Sequence, residues 1–482
     1  MPTLPCFIDP SRRTTMEMGL DTDLQRAAEI ICDAESVTIV SHIDADGIST
    51  ESILAQALSR EAIPVTSVFV RQLEPMAMRH VPKDGSLKLF TDLGAGQQGL
   101  LAEHGLTADE VLILDHHVSQ PGETAYPQVN SLDHGITRMS AAGVAYLVAK
   151  AIDATNIDLA KLAVVGNVGD MMARENCGLV GPAREIVSDG VEYGNIIVQK
   201  PDLNCYGTST RPVHTCLAYC DDPYIDGISN STSGALRFLE RLGVTLKNSR
   251  GGWFVWEELP FDERRTIISA LAQQLIAHGR ETDRLLAETY IFPDEPERTP
   301  LRNASEYATL LNACGRWAKP GVGGSICRGD RGDAYRDAEY MLAHHRSVIR
   351  DLLQYILDTG VTELSHLQYI HTRDRFPDTI VGIGAGMALS KLNWRKPMMV
   401  LSAMVDEPEV TKVSMRTNEW SLSRGVDLQE ALVEASAAVG GAGGGHRIAA
   451  GAFIPHDTEE EFVDGLNRIL KRQFAQADPD DS

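Results

Sequence analysis

The sequence predicts an α/β protein: a mostly parallel sheet in its first part, a largely helical module in the middle, and a second, smaller α/β unit towards the end. Three observations carry that reading. From residue 24 to about 150, short β-rich apolar runs alternate with helical patterns, as when crossover helices join parallel strands. Acidic and histidine residues stand directly after several of these runs, where open α/β sheets hold their ligands. A second alternation of strand-like and helical segments begins after about residue 361.

Taken in order, residues 36–40, 65–70, 87–91 and 111–114 read as buried strands of a first domain spanning 24–190. Between the first two strands, Leu54, Ala57 and Leu58 share one helical face. Residues 191–300 read as a largely helical insert, punctuated by turn clusters such as 201–212. Residues 301–360 return to the first domain and continue into one long connecting helix over 340–357. In the last domain, 361–475, the segments 379–383, 398–401 and 410–416 read as strands. A helix over 428–439 then runs into a glycine loop, 440–446, and the acidic tail 477–482 is too short to pack and should fray.

Composition narrows the function. With 44 basic against 67 acidic residues, the net charge is −23, which argues against coating duplex DNA through a broad basic face. It leaves room for a groove lined locally by basic residues. No run approaches the ~20 apolar residues that span a bilayer, and no signal peptide is recognisable, so no membrane partner is expected. The eight cysteines show no paired framework, which fits a reducing cytoplasm.

Four constellations carry chemistry. His42, Asp44, Asp46 and Gly47 follow the first strand; carboxylates this close repel in an apolar cleft unless a cation neutralises them. An EF-hand loop is the alternative, but there the glycine is sixth and here it is fourth counting from Asp44. Asp92 ends the third run; alone it would read as a turn residue. Asp115, His116 and His117 end the fourth run, and neutral imidazole is the commonest metal ligand. Asp170 ends the apolar run 162–168. Four acidic sites after four apolar runs exceed what caps and turns explain. A mixed carboxylate and imidazole set favours borderline divalent ions such as Mn²⁺, and with one carboxylate shared it is large enough for two.

These motifs resemble motifs I to IV of the DHH phosphoesterases, and Gly443-Gly444-Gly445-His446 followed by Ala449-Ala450-Gly451 resembles the signature of the associated DHHA1 domain. The segments 206–212, 222–228 and 310–316 are similar to parts of archaeal RecJ-like proteins. The resemblance implies a parallel-sheet DHH domain, a helical insert and a DHHA1 domain closing over a cleft. It implies one metal on His42, Asp44 and Asp92, and a second on Asp46, Asp92, His116 and Asp170, with Mn²⁺ preferred and Mg²⁺ also admissible. His117, with Asp115 beside it, would form the catalytic pair facing the scissile phosphate. Ser414, Arg416, Gly443, Gly444, Gly445 and His446 would hold the substrate. From the residues alone, a surface loop with an ordinary strand arginine fits the last set equally well.

The activity so implied is exonucleolytic hydrolysis of single-stranded DNA or RNA. Two rivals remain: hydrolysis of short oligonucleotides or cyclic dinucleotides, and a replication-fork scaffold binding GINS-type proteins through the insert. Relatives that act as scaffolds have lost ligands, and none is missing here. Other features read as structural: Cys205, Cys216 and Cys220 beside His214 match no zinc-finger spacing, and Trp253 and Trp256 are expected to anchor a small core. His344 and His345 fall within a helix.

Overall fold

Four of the apolar runs form strands over nearly the residues predicted: β1 (Val37–His42), β2 (Val65–Val70), β3 (Leu87–Thr91) and β4 (Val111–Asp115). The computed structural model describes residues 15–122, 126–220, 222–389, 391–404 and 407–477; most of the acidic tail lies outside them. A short fifth strand, β5 (Gln128–Asn130), completes a parallel sheet in the order β2-β1-β3-β4-β5. With three residues, two of them amides, β5 carries no apolar signal.

Every residue of β3 and β4 is buried; Val111–Leu114 is apolar throughout, while β3 includes Lys88, whose buried Nζ donates to Asp84 and to the Ser86 carbonyl. Val40, Phe90, Val111 and Ile113 join one core, and the alternating Ile39, Leu89, Leu112 and Leu114 are buried on the other face. The helix Ala45–Arg60 leaves β1 directly and packs on it, burying Leu54, Ala57 and Leu58 completely. Helices Ala141–Ile152 and Ala160–Gly169 pack against it in turn. The run that ends in Asp170 is thus a helix with Asp170 as its C-cap. Periodicity cannot separate a buried helix from a buried strand over so few residues. The chain passes from β1 to β2 and back across to β3, so β1 and β3 flank the point where the strand order reverses. Such switch points are where α/β sheets bind ligands.

The insert is largely helical, as expected, with helices Val213–Ala218, Thr232–Arg241 and Phe261–Ala277. Two antiparallel strands, β6 (Ile197–Leu203) and β7 (Leu286–Ile291), tie its ends together. Leu217, Phe238, Trp256 and Leu271 belong to a core of its own. Trp256 is fully buried and its Nε1–H donates to the Asp202 carboxylate at 2.6 Å. Trp253 lies against His214, ring centroids 4.5 Å apart. Cys205, Cys216 and Cys220 are free thiols; the last two are buried, Cys220 in that core. Among the described residues, no cysteine joins a potential metal cluster.

The chain up to Gly315, with Lys319–Glu339, makes one compact unit; Arg316–Ala318 and the chain from Tyr340 make another. The long helix was predicted within its observed span, Asp333–Thr359. The second unit holds β8 (Thr362–Glu363), β9 (Gln368–His371), β10 (Met398–Ala403), β11 (Val410–Arg416), β12 (Ala442–Gly445) and β13 (Ala449–Pro455). They form a mixed sheet ordered β12-β13-β11-β10-β9-β8. The strand expected over 379–383 is not one: Val381–Leu389 is a helix. Val381, Ala385, Ala388 and Leu389 form its buried face, and the exposed Gly386 and Met387 carry no polar side chain either, so no polar face marks the helical period. The glycine loop also differs, because residues 442–445 pair as edge strand β12. A Cβ on Gly443 would lie 2.6 Å from the Leu432 carbonyl oxygen, so only glycine lets this strand approach its neighbouring helix. Among the described residues, no helix is long and apolar enough to cross a membrane.

Replacing Trp256 by phenylalanine keeps the ring but leaves the buried Asp202 carboxylate short of a donor. The expected cost is about 1–3 kcal/mol. Urea denaturation followed by circular dichroism should report it as a lower midpoint for the transition that melts the insert.

Candidate metal centre

The residues singled out after β1, β3, β4 and the helix Ala160–Gly169 converge. His42 ends β1, and its Nε2 lies 3.1 Å from the Arg71 carbonyl oxygen. A carbonyl only accepts, so in the neutral ring Nε2 carries the proton and Nδ1 presents its lone pair. That Nδ1 faces Asp44 at 3.1 Å and Asp92 at 3.4 Å. Asp44 is the N-cap of the helix Ala45–Arg60, its Oδ1 accepting from the Gly47 amide at 3.0 Å while Oδ2 points to His42. Gly47 is required there, since a Cβ would lie 2.3 Å from the His42 carbonyl oxygen.

Asp46 is buried against the N-terminus of the helix Ala141–Ile152. It accepts from the Ser140 hydroxyl at 2.6 Å and from the amides of Ala141 and Ala142 at 2.9 and 3.0 Å. The helix dipole favours a negative charge at this end. Ser140 was not foreseen: its position before a helix was legible, but its partner lies 94 residues away.

Asp92 joins the two halves. Its backbone is left-handed, φ +60°, a cost few residues bear without cause. Its Oδ2 faces His42 and its Oδ1 faces His116 Nε2 at 3.2 Å. His116 Nε2 is also 3.5 Å from Asp170 and 3.9 Å from Asp46. It is buried and makes no hydrogen bond. Three overlapping groups could each hold a metal ion: His42, Asp44 and Asp92; Asp46, His116 and Asp170; and Asp92, Asp115, His116 and His117.

Electrostatics supports the fit. Burial, the charge of Asp92 and that of Asp170 push the Asp46 carboxyl well above its usual range, and burial with Asp92 and Asp44 lifts Asp170 to about 6. Burial would lower His116, but Asp92, Asp46 and Asp170 outweigh it and raise it to about 9. His42 is raised well above normal by Asp44 and Asp92 against the same burial penalty. The two carboxyl shifts mark a shortage of positive charge around Asp46 and Asp170, which a divalent cation would supply. The orphaned His116 nitrogen and the mixed donor set fit such an ion.

Asp115 is engaged differently. It is fully buried; Oδ1 accepts from the amides of His116 and His117 at 2.7 and 3.2 Å and meets His117 Nδ1 at 2.8 Å, while Oδ2 accepts from the Ala95 amide at 3.0 Å. His117, its side chain 57% exposed, therefore points Nε2 away from Asp115.

The remaining predicted residues lie in the second unit. Ser414 pairs with Gly451 and Gly451 with Gly444, so the three stand in line across β11, β13 and β12. Arg416 donates from Nη1 to the Met415 carbonyl at 2.8 Å and lies over Gly382, where a Cβ would be 2.6 Å from Nη2. No carboxylate among the described residues pairs with it. His446 is exposed at the tight turn between β12 and β13, its amide donating to the Ala449 carbonyl at 2.8 Å. Of the three glycines, Gly444 alone would find open space for a Cβ.

Residues 36–167 match the DHH family N-terminal domain, 205–287 the DHH-CID domain and 367–472 the DHHA1 domain. An uncharacterized protein of Methanocaldococcus jannaschii is 25% identical over 450 residues, covering 91% of this chain and 94% of its own. In fold, the chain is similar to RecJ from Thermus thermophilus in complex with Mn²⁺: TM-score 0.51, 17% identity, 93% of this chain but only 55% of that one. CDC45 from Entamoeba histolytica is also similar, with TM-score 0.58, 11% identity, and 94% of this chain and 98% of that one. The chain is a DHH/DHHA1 protein of RecJ-like fold with a DHH-CID domain between its two halves.

Proposed function

We propose that the protein is a single-strand-specific exonuclease that hydrolyses phosphodiester bonds of DNA or RNA with two divalent ions, Mn²⁺ in preference to Mg²⁺. The observation that carries this reading is Asp92, whose two carboxylate oxygens face two separate groups of histidine and carboxylate. One ion would be held by His42, Asp44 and Asp92, the other by Asp46, Asp92, His116 and Asp170. When bound, such ions supply the positive charge that an in-line phosphoryl displacement needs on its attacking and leaving oxygens.

The chain's own groups do the rest. Helix amides and Ser140 hold Asp46, and Arg71 orients His42. Asp115, held by three amides and bonded to His117, acts as a positioning residue; it keeps the proton of His117 on Nδ1 and frees Nε2 to meet a phosphoryl oxygen. The guanidinium of Arg416 suits a phosphate of the strand, and the open side of Gly444 lets backbone come close to one. His446, exposed at the adjoining turn, would contact the same strand.

The fold likeness to CDC45 favours a second role, docking replication proteins of the GINS type through the insert. The two roles are compatible. Intact metal binding without digestion would favour the scaffold alone.

End-labelled single strands of both sugars, incubated with Mn²⁺, should release mononucleotides, and excess chelator should stop it. Asp92→Asn should lower the rate by at least about 10²–10³-fold, the scale of losing one preorganised electrostatic group. Full activity of that variant, or of wild type in chelator, contradicts the assignment. Asp115→Asn and His117→Ala test the other role. Both should lower kcat by about 10²–10⁴-fold while Mn²⁺ affinity in calorimetry stays near that of wild type. Loss of an ion in the His117→Ala variant would make that histidine a ligand instead.

A further inference from the structure

The helix Ala304–Arg316 carries none of the candidate ligands, yet it touches two of the segments that do. Ala45 stands between Asp44 and Asp46, at the first position of the helix Ala45–Arg60. Its amide has no acceptor within that helix. It donates instead to Asn312 Oδ1 at 2.9 Å, 267 residues away in sequence. One turn further on, a Cβ at Gly315 would stand 2.0 Å from the Ile43 carbonyl oxygen, so the helix end is in close contact with the turn's backbone. The same helix reaches the segment before Asp170. A Cβ at Gly169 would lie 3.2 Å from the Cβ of Ala308 and 2.9 Å from that of Ala45, so these three residues pack as one contact.

The far end of this helix is anchored. Glu306 is fully buried and accepts from the Ser209 amide at 2.8 Å and from the Thr210 hydroxyl. Asn303 Nδ2 bonds the Thr208 hydroxyl at 3.1 Å, and Tyr307 is fully buried beside them. A braced helix therefore presents a fixed acceptor to the amide whose neighbours on both sides are carboxylates. Rotating the 44–45 peptide would redirect Asp44 and Asp46 together.

We propose that Asn312 is a positioning residue of the metal centre: by accepting the Ala45 N–H, it sets the angle of the turn that aims Asp44 and Asp46. The inference rests on reading the acidic cluster as a metal centre, but one arm of its test does not. Hydrogen–deuterium exchange of the peptide spanning 43–47, without metal, reads the turn itself; calorimetric titration with Mn²⁺ reads the consequence; thermal unfolding checks the fold. Asn312→Ala should speed exchange in that peptide and weaken Mn²⁺ binding by about 10- to 100-fold, the usual effect of losing an outer-sphere contact. Asn312→Asp keeps the acceptor and should restore both. Asn312→Ser, too short to reach Ala45, replaces the alanine variant if that does not fold. Wild-type exchange and affinity in the folded alanine or serine variant overturn the proposal. If wild type binds no Mn²⁺, the metal reading falls, while the exchange result still decides whether Asn312 holds the turn.

Discussion

Mutual repulsion among Asp44, Asp46, Asp92 and Asp170 is the constraint on which the first unit depends. These carboxylates meet two imidazoles in a space only a few ångströms across, most of it shielded from water. Isolated charges so placed are costly, and the protein meets the cost in two ways. Asp46 is turned into the positive end of a helix and given three hydrogen bonds. The rest is left for protons or for a cation, as the raised pKa values of Asp46, Asp170, His42 and His116 indicate.

Topology makes the convergence possible. Parallel strands deliver their C-terminal ends to one edge, so His42, Asp92 and Asp115 arrive together from three neighbouring strands. The left-handed backbone at Asp92 then lets one carboxylate face both ways. Local strain of this kind persists where the surroundings over-determine it, which is common at functional sites. Asp92 after β3 and Asp115 at the end of β4 differ in their partners. Asp115 is held by three amides and by His117, whereas each oxygen of Asp92 faces a histidine.

Much of this was legible in the sequence, and for a physical reason. Strands buried on both faces are rich in apolar residues, so a carboxylate directly after 87–91 or 111–114 stands out against them. What escaped reading lacked that contrast. Gln128–Asn130 is too short and polar to announce a strand, and 379–383 is apolar on so many sides that helix and strand look alike. The glycines of 440–446 suggested a loop, although Gly443 is there because a helix carbonyl crowds it. The supporting contacts were hidden more deeply. Ser140, the Arg71 carbonyl and Asn312 meet the motif residues only through the fold, at sequence separations no local pattern encodes.

In the proposed reading, Asp92 is shared between two ions. Crystals grown with Mn²⁺, with diffraction recorded at the manganese absorption edge, would test it most directly. The account predicts two anomalous peaks, one beside His42 and Asp44 and one beside Asp46, His116 and Asp170, with a carboxylate oxygen of Asp92 next to each. A single peak, or two peaks of which neither touches Asp92, would contradict it.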